Sequence, residues 1–185
     1  PVINVDSDEV AQFEKLAGRW WDPEGTFKPL HEINPLRLKY IEQRFALDNK
    51  RVLDLGCGGG ILSERMADKG ARVVGLDAGA EPIAVARLHA KEAGKDILYE
   101  NGTAEDLDDT YTAYFDAITC MEMLEHVPRP DKVITDCARL IKPGGALFFS
   151  TINRTPKAWL FAILGAEYIL SLLPRGTHRY DRFIR

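Results

Sequence analysis

The stretch Arg51-Val-Leu-Asp-Leu-Gly-Cys-Gly-Gly-Gly60 decides how the rest of the chain reads. A short apolar run over 52–55 breaks into four glycines within five positions, and residues 61–69 then follow a helical pattern. Strand, tight turn and helix therefore succeed one another. Residues without a Cβ let backbone come close to a ligand, and the helix that follows aims its free N–H groups at the same spot. The turn is expected to hold a polar ligand.

Outward from this turn, short apolar runs alternate with helical patterns, the signature of βαβ units and a parallel sheet. Strands are predicted at 51–55, 72–76, 96–100, 115–120 and 146–150, and helices at 61–69, 81–93 and 131–141 and through much of the C-terminal tail. Right-handed crossovers make this a Rossmann-like, doubly wound α/β sheet, whose ligands sit at the carboxyl ends of the strands. Upstream, Asp6-Ser-Asp-Glu9 offers a cap and first-turn acids to a helix with Val10, Phe13, Leu16 and Ala17 on one face. Trp20 and Trp21 read as core packing. A turn-rich passage leads to Asn34-Pro35, where Pro35 suits the first turn of a second helix carrying Arg37, Tyr40 and Ile41.

At 185 residues and 45% hydrophobic content the chain is one domain's worth of globular material. It divides into an N-terminal helical cap (1–50), a ligand-binding core (51–153) and an apolar, basic-flanked tail (154–185). The net charge of −4 gives no reason to expect a nucleic-acid partner. Cys57, Cys120 and Cys137 fit neither a disulfide framework nor a zinc site, and no secretory signal is visible, so a reducing cytosol is the expected compartment.

The second predicted strand ends at Asp77, 21 residues beyond Gly56, where an acid can accept hydrogen bonds from both ribose hydroxyls of a nucleoside. Glycine spacing separates the possible ligands. Gly56, Gly58 and Gly60 follow GxGxG, whereas a dinucleotide fingerprint needs glycine at position 61, which is Ile61. Asp54, two residues before the glycines, would repel a pyrophosphate and tolerate a cationic ligand. A nicotinamide-dependent oxidoreductase is thereby disfavoured but stays as an alternative.

These residues resemble the class I S-adenosylmethionine-dependent methyltransferases. The family's hydrophobic-hydrophobic-Asp-x-Gly-x-Gly-x-Gly pattern matches residues 52–60, its ribose acid matches Asp77, and Ile141-Lys-Pro-Gly-Gly145 is similar to its turn before the fifth strand. Ala104-Glu105-Asp106 resembles the segment that lines the adenine. A narrower resemblance spans nearly the whole chain. Arg19-Trp-Trp-Asp22, Phe27-Lys-Pro-Leu-His31, Asn34-Pro-Leu-Arg37, Cys120-Met-Glu-Met-Leu-Glu-His-Val127 and Gly165-Ala-Glu-Tyr-Ile-Leu170 look like the ubiquinone biosynthesis O-methyltransferase family. It implies S-adenosylmethionine as cofactor and polyprenylated catechol-type rings as substrates, namely 2-polyprenyl-6-hydroxyphenol and 3-demethylubiquinol. It implies cofactor-binding roles for Arg37, Asp54, Gly56, Gly58, Asp77, Ala104, Glu105 and Met121, with Arg37 on the methionine carboxylate.

Glu122, Glu125 and His126 are spaced i, i+3 and i+4, so on a helical turn all three project to one side. A phenol is a poor nucleophile at neutral pH and needs a base, a divalent cation or both. The trio can supply either; it can equally cap a short helix while His126 satisfies a backbone group. The resemblance implies a catalytic role for all three and a divalent metal, magnesium, on Glu122, Glu125 and His126. It also implies further C-terminal strands, beyond Arg185, that complete a seven-stranded sheet.

The tail segment 158–173 is 16 residues long with Glu167 as its only charge, shorter than the ~20 residues of a spanning helix. Residues 154–185 carry six Lys/Arg against two acids, a net of +4 that leaves −8 on the first 153. An apolar helix with basic ends suits an anionic membrane surface, as does a long-tailed lipid substrate. The alternative is a helix covering one face of the sheet. The related enzymes are peripheral membrane proteins, so attachment to the inner face of the membrane is expected. Other proteins of ubiquinone assembly are possible partners. A non-catalytic membrane-bound assembly module is the remaining alternative.

Overall fold

The computed structural model describes residues 4–151. Two helices, α1 (Ser7–Leu16) and α2 (Lys28–Glu42), precede an alternation of strands and helices. β1 (Arg51–Leu55), α3 (Ile61–Asp68), β2 (Arg72–Asp77), α4 (Ala80–Glu92) and β3 (Leu98–Asn101) form the first half. β4 (Phe115–Met121), α5 (Pro130–Leu140) and β5 (Ile141–Ser150) form the second. The five strands pair in parallel in the order β3-β2-β1-β4-β5. Strand order therefore reverses beside β1, and the glycine turn leaves β1 at that switch point.

β1 shows why the sheet is covered on both sides. Val52 packs with Ile41, Leu62 and Met66 of α2 and α3, while its neighbour Leu53 packs with Ile118, Val133 and Leu140 on the α5 side. Successive strand residues point to opposite faces, so a nearly continuous apolar run is what two buried faces require. Full burial of side chains such as Leu53 and Ile118 stabilises by about 2 kcal/mol each.

Three expectations change. α2 starts seven residues before Pro35: Pro29 fills the first turn and Pro35 lies inside the helix. The missing N–H of Pro35 costs the helix a bond. Tertiary contacts offset it, because buried Asn34 donates from Nδ2 to the Ile61 carbonyl at 3.1 Å and Ile41 is fully buried. β5 starts at Ile141 rather than 146: Ile141 pairs with Phe115, and pairing resumes at Ala146 opposite Ala117 after an irregular stretch. Pro143 has no donor and Gly144 adopts φ +77°, so the segment 142–145 makes a bulge instead of a separate turn. β3 begins at Leu98, two residues later than predicted. The tail 154–185, with its apolar segment 158–173, lies outside the described residues.

Candidate active site

The carboxyl ends of β1, β2 and β4 open into a cavity of about 570 Å³, within the range of small-molecule sites. At its floor the glycine turn is held by β2: the N–H groups of Gly56 and Cys57 donate to the Leu76 carbonyl. Asp77 accepts from the Gly58 N–H through Oδ2 and from the Gly79 N–H through Oδ1, both at 2.8 Å. Partial enclosure pushes the Asp77 carboxyl upward and those two N–H groups pull it back. Each oxygen keeps a second acceptor position, which suits the paired hydroxyls of a ribose.

Asp54 is buried at 3% exposure, and both its oxygens are taken. Ser63 Oγ donates to Oδ2 at 2.5 Å and Thr119 Oγ1 to Oδ1 at 2.7 Å, tying β1 to α3 and β4. Burial raises its carboxyl pKa; the two hydroxyls and, more weakly, the Arg37 charge oppose that. Asp54 is therefore a structural tie and a source of negative potential beside the turn. It also borders the cavity.

The N-terminal cap supplies the cavity's apolar wall, including Val10, Phe13, Phe27, Leu30 and Ile33. Trp20 is 6% exposed, stacks on Phe27 at 4.1 Å between centroids, and lies over the glycine turn. A Cβ built on Gly58, whose φ is +53°, would meet Trp20 Cζ2 at 2.1 Å. Trp21 donates from Nε1 to the Gly59 carbonyl at 2.8 Å and stacks on His89. Trp20 is thus a core residue that also forms part of the cavity lining, while Trp21 is half-buried and packs against the same cluster.

At the end of β4 the backbone of Glu122 takes φ +55°. A non-glycine residue in that region marks a constrained position, and such positions cluster at functional sites. Glu122 Oε1 lies 3.1 Å from Arg37 and accepts from Ser150 Oγ at 2.7 Å. Glu125, 3% exposed, accepts from Thr151 through Oε2, and its Oε1 has no hydrogen-bond partner among the described residues. Burial pushes the Glu125 carboxyl upward, with Glu122 adding to the effect. His126 Nδ1 sits 3.0 Å from Glu9 Oε2, and Phe13 meets the imidazole edge-on.

Residues 53–149 match the model of the methyltransferase domain family. The ubiquinone biosynthesis O-methyltransferase of Hahella chejuensis is 62% identical over the whole chain, which covers 78% of that protein. The Pseudomonas syringae pv. tomato enzyme of the same name is 61% identical over 98% of the chain, again 78% of its own length. The chain belongs to the ubiquinone biosynthesis O-methyltransferase family. Among solved structures, a phosphoethanolamine N-methyltransferase of Haemonchus contortus in complex with phosphomonomethylethanolamine and S-adenosylhomocysteine superimposes with a TM-score of 0.59 at 25% identity. That match covers 65% of this chain and 28% of the other.

Membership makes the protein an S-adenosylmethionine-dependent O-methyltransferase and removes the nicotinamide alternative. The cradle fits that donor: a bare-backbone turn, a carboxylate with acceptor positions for ribose, and a guanidinium on the same cavity. Arg37, Asp54, Gly56, Gly58, Asp77, Ala104, Glu105 and Met121 all border this one cavity, as do Glu122, Glu125 and His126. Ala104 is buried, and Glu105 is held by Lys132 and by the Asn4 N–H, which keep its carboxyl below the usual range.

The described residues do not show the expected metal site. Among the described residues no three His, Cys, Asp or Glu side chains are grouped to hold an ion. Glu122 faces the Arg37 cation, Glu125 faces Thr151 and His126 faces Glu9. The i, i+3, i+4 argument presumed a helical turn through Glu122, but only Leu124–His126 turn helically, and Glu122 precedes them in a left-handed conformation. In this arrangement the three side chains border one cavity without converging on a single point. Glu9 is a site residue that local sequence does not reveal: it reads as a first-turn acid, and nothing near it in the chain signals a partner 117 positions away.

Proposed function

We propose that this protein methylates a phenolic hydroxyl of a polyprenylated catechol-type ubiquinone precursor, with His126 as the base. The observation that carries this reading is the Glu9–His126 contact beside the donor cradle. A carboxylate only accepts, so Nδ1 carries the proton of that hydrogen bond and Nε2 remains as the acceptor. Bound S-adenosylmethionine supplies a methyl group on a positively charged sulfur. As the new O–CH3 bond forms and the sulfur–methyl bond breaks, the phenol proton passes to His126 Nε2 and Glu9 stabilises the resulting imidazolium. Asp77 orients the ribose, Arg37 takes the methionine carboxylate, and the negative potential of Asp54 favours a cationic donor. The apolar wall of Val10, Phe13, Phe27, Leu30 and Ile33 suits a prenylated aromatic ring.

The test is a methyl-transfer assay on a short-prenyl catechol, with and without magnesium and chelator. O-methylated catechol is the expected product. Donor binding with no methylated product would overturn the reading in favour of a non-catalytic module.

Substrate with a long polyprenyl tail resides in a membrane, and the basic-flanked apolar segment 158–173 fits capture at an anionic surface from the cytoplasmic side. No helix among the described residues is long and apolar enough to cross a bilayer. Flotation with vesicles containing anionic phospholipid is expected to carry the intact chain and to lose the Leu160→Glu plus Ile163→Glu variant. Equal flotation of both removes the surface-binding role.

A further inference from the structure

Arg37 and Glu122 form an ion pair that the donor reading has to disturb. Their side chains are 13% and 31% exposed, Arg37 NH2 stands 3.1 Å from Glu122 Oε1, and both border the cavity. The carboxylate is well fixed. Glu122 is set in place by its φ of +55°, by its own N–H donating to the Ser150 carbonyl at 2.9 Å, and by Ser150 Oγ at 2.7 Å. Asp54 is too deeply tied to Ser63 and Thr119 to serve as this partner. Glu122 is thus the carboxylate that meets the guanidinium.

We propose that Glu122 competes with the donor carboxylate for Arg37 and is displaced from the guanidinium when the amino-acid end of the donor arrives. Arg37 is a largely buried cation that would be costly to leave unpaired, and Glu122 keeps it neutralised beside the cavity. An incoming carboxylate offers the same charge and the same hydrogen-bond geometry, so the two compete for one guanidinium. Displacement leaves Glu122 with Ser150 and makes it available to the acceptor side, three residues from the unpartnered oxygen of Glu125. The assignment rests on Arg37 as the donor-carboxylate ligand. It specifies a role for Glu122 that neither metal binding nor base catalysis supplies.

Calorimetry tests it with two ligands: S-adenosylhomocysteine, which carries the carboxylate, and 5′-methylthioadenosine, which lacks it. Glu122→Gln keeps an acceptor for Ser150 and removes the competing charge. The expected result is about fivefold tighter S-adenosylhomocysteine binding than in the parent protein, the equivalent of a partly exposed ion pair, with 5′-methylthioadenosine unchanged. In an Arg37→Met background the Glu122→Gln gain should vanish. Unchanged or weaker S-adenosylhomocysteine binding by Glu122→Gln overturns the inference, as does an equal change for both ligands. Failure of the parent protein to bind S-adenosylhomocysteine at all would instead overturn the donor reading of the cavity.

Discussion

Gly58→Ala is expected to lower stability by about 2–5 kcal/mol and to cost most of the donor affinity. Two effects add. The backbone at Gly58 has φ +53°, where a side chain costs roughly 1–2 kcal/mol. The new Cβ would also stand 2.1 Å from Trp20 Cζ2, so the buried indole or the turn must move, an overpacking cost of about 1–3 kcal/mol. Because the Gly58 N–H also donates to Asp77, any shift of the turn releases the carboxylate proposed to hold the ribose. Thermal unfolding should fall by about 5–15 °C for a domain of this size. Trp20→Leu in the same background, by making room, should restore part of the loss. A Gly58→Ala protein melting within two degrees of its parent, with intact S-adenosylhomocysteine binding, would show that the indole does not press on the turn.

The second large effect is on turnover. His126→Gln keeps a side chain able to donate to Glu9 but offers no base, and kcat is expected to drop by about 10²–10⁴. Donor affinity measured by calorimetry should stay within about threefold, since His126 takes no part in the cradle. Glu9→Gln keeps an acceptor for Nδ1–H and loses the charge that stabilises imidazolium, so a smaller fall in kcat, about tenfold, is expected with little change in KM. Glu9→Ala should fall further than Glu9→Gln, because only the amide can still orient the ring. A His126→Gln enzyme with near-normal turnover would remove the base assignment, and a Glu9→Gln loss confined to KM would remove the orienting role of Glu9.

Glu9 and Glu122 mark the limits of what local patterns reveal. Glu9 reads correctly as a first-turn acid of α1, and Asp6 caps that helix as expected, accepting from Asp8 and Glu9 N–H groups. Its contact with His126 depends on how α1 lies across the end of β4, a placement set by Phe13 and Trp20 packing and not by any period in the sequence. Helical spacing groups Glu122 with Glu125 and His126; the three border one cavity but do not share a helical turn, because the chain leaves β4 through a left-handed residue. Pro35 misled in the same way. A proline marks a first turn by preference, yet Asn34 and Ile41 hold α2 together around it.

The sequence by itself determined the parallel sheet, the glycine turn at its switch point and the acid at the end of β2. Each follows from period, from missing Cβ atoms or from fixed spacing along one βαβ unit, all of which are local. Tertiary structure alone decided which carboxylate meets which cation or imidazole: Asp54 with Ser63 and Thr119, Glu122 with Arg37, Glu9 with His126. Those pairings join residues 9 to 117 positions apart; the last two depend on the angles at which α1 and α2 pack over the strand ends, and the first on how α3 and β4 pack against β1. Side-chain volumes set such angles in three dimensions, so no linear pattern carries them.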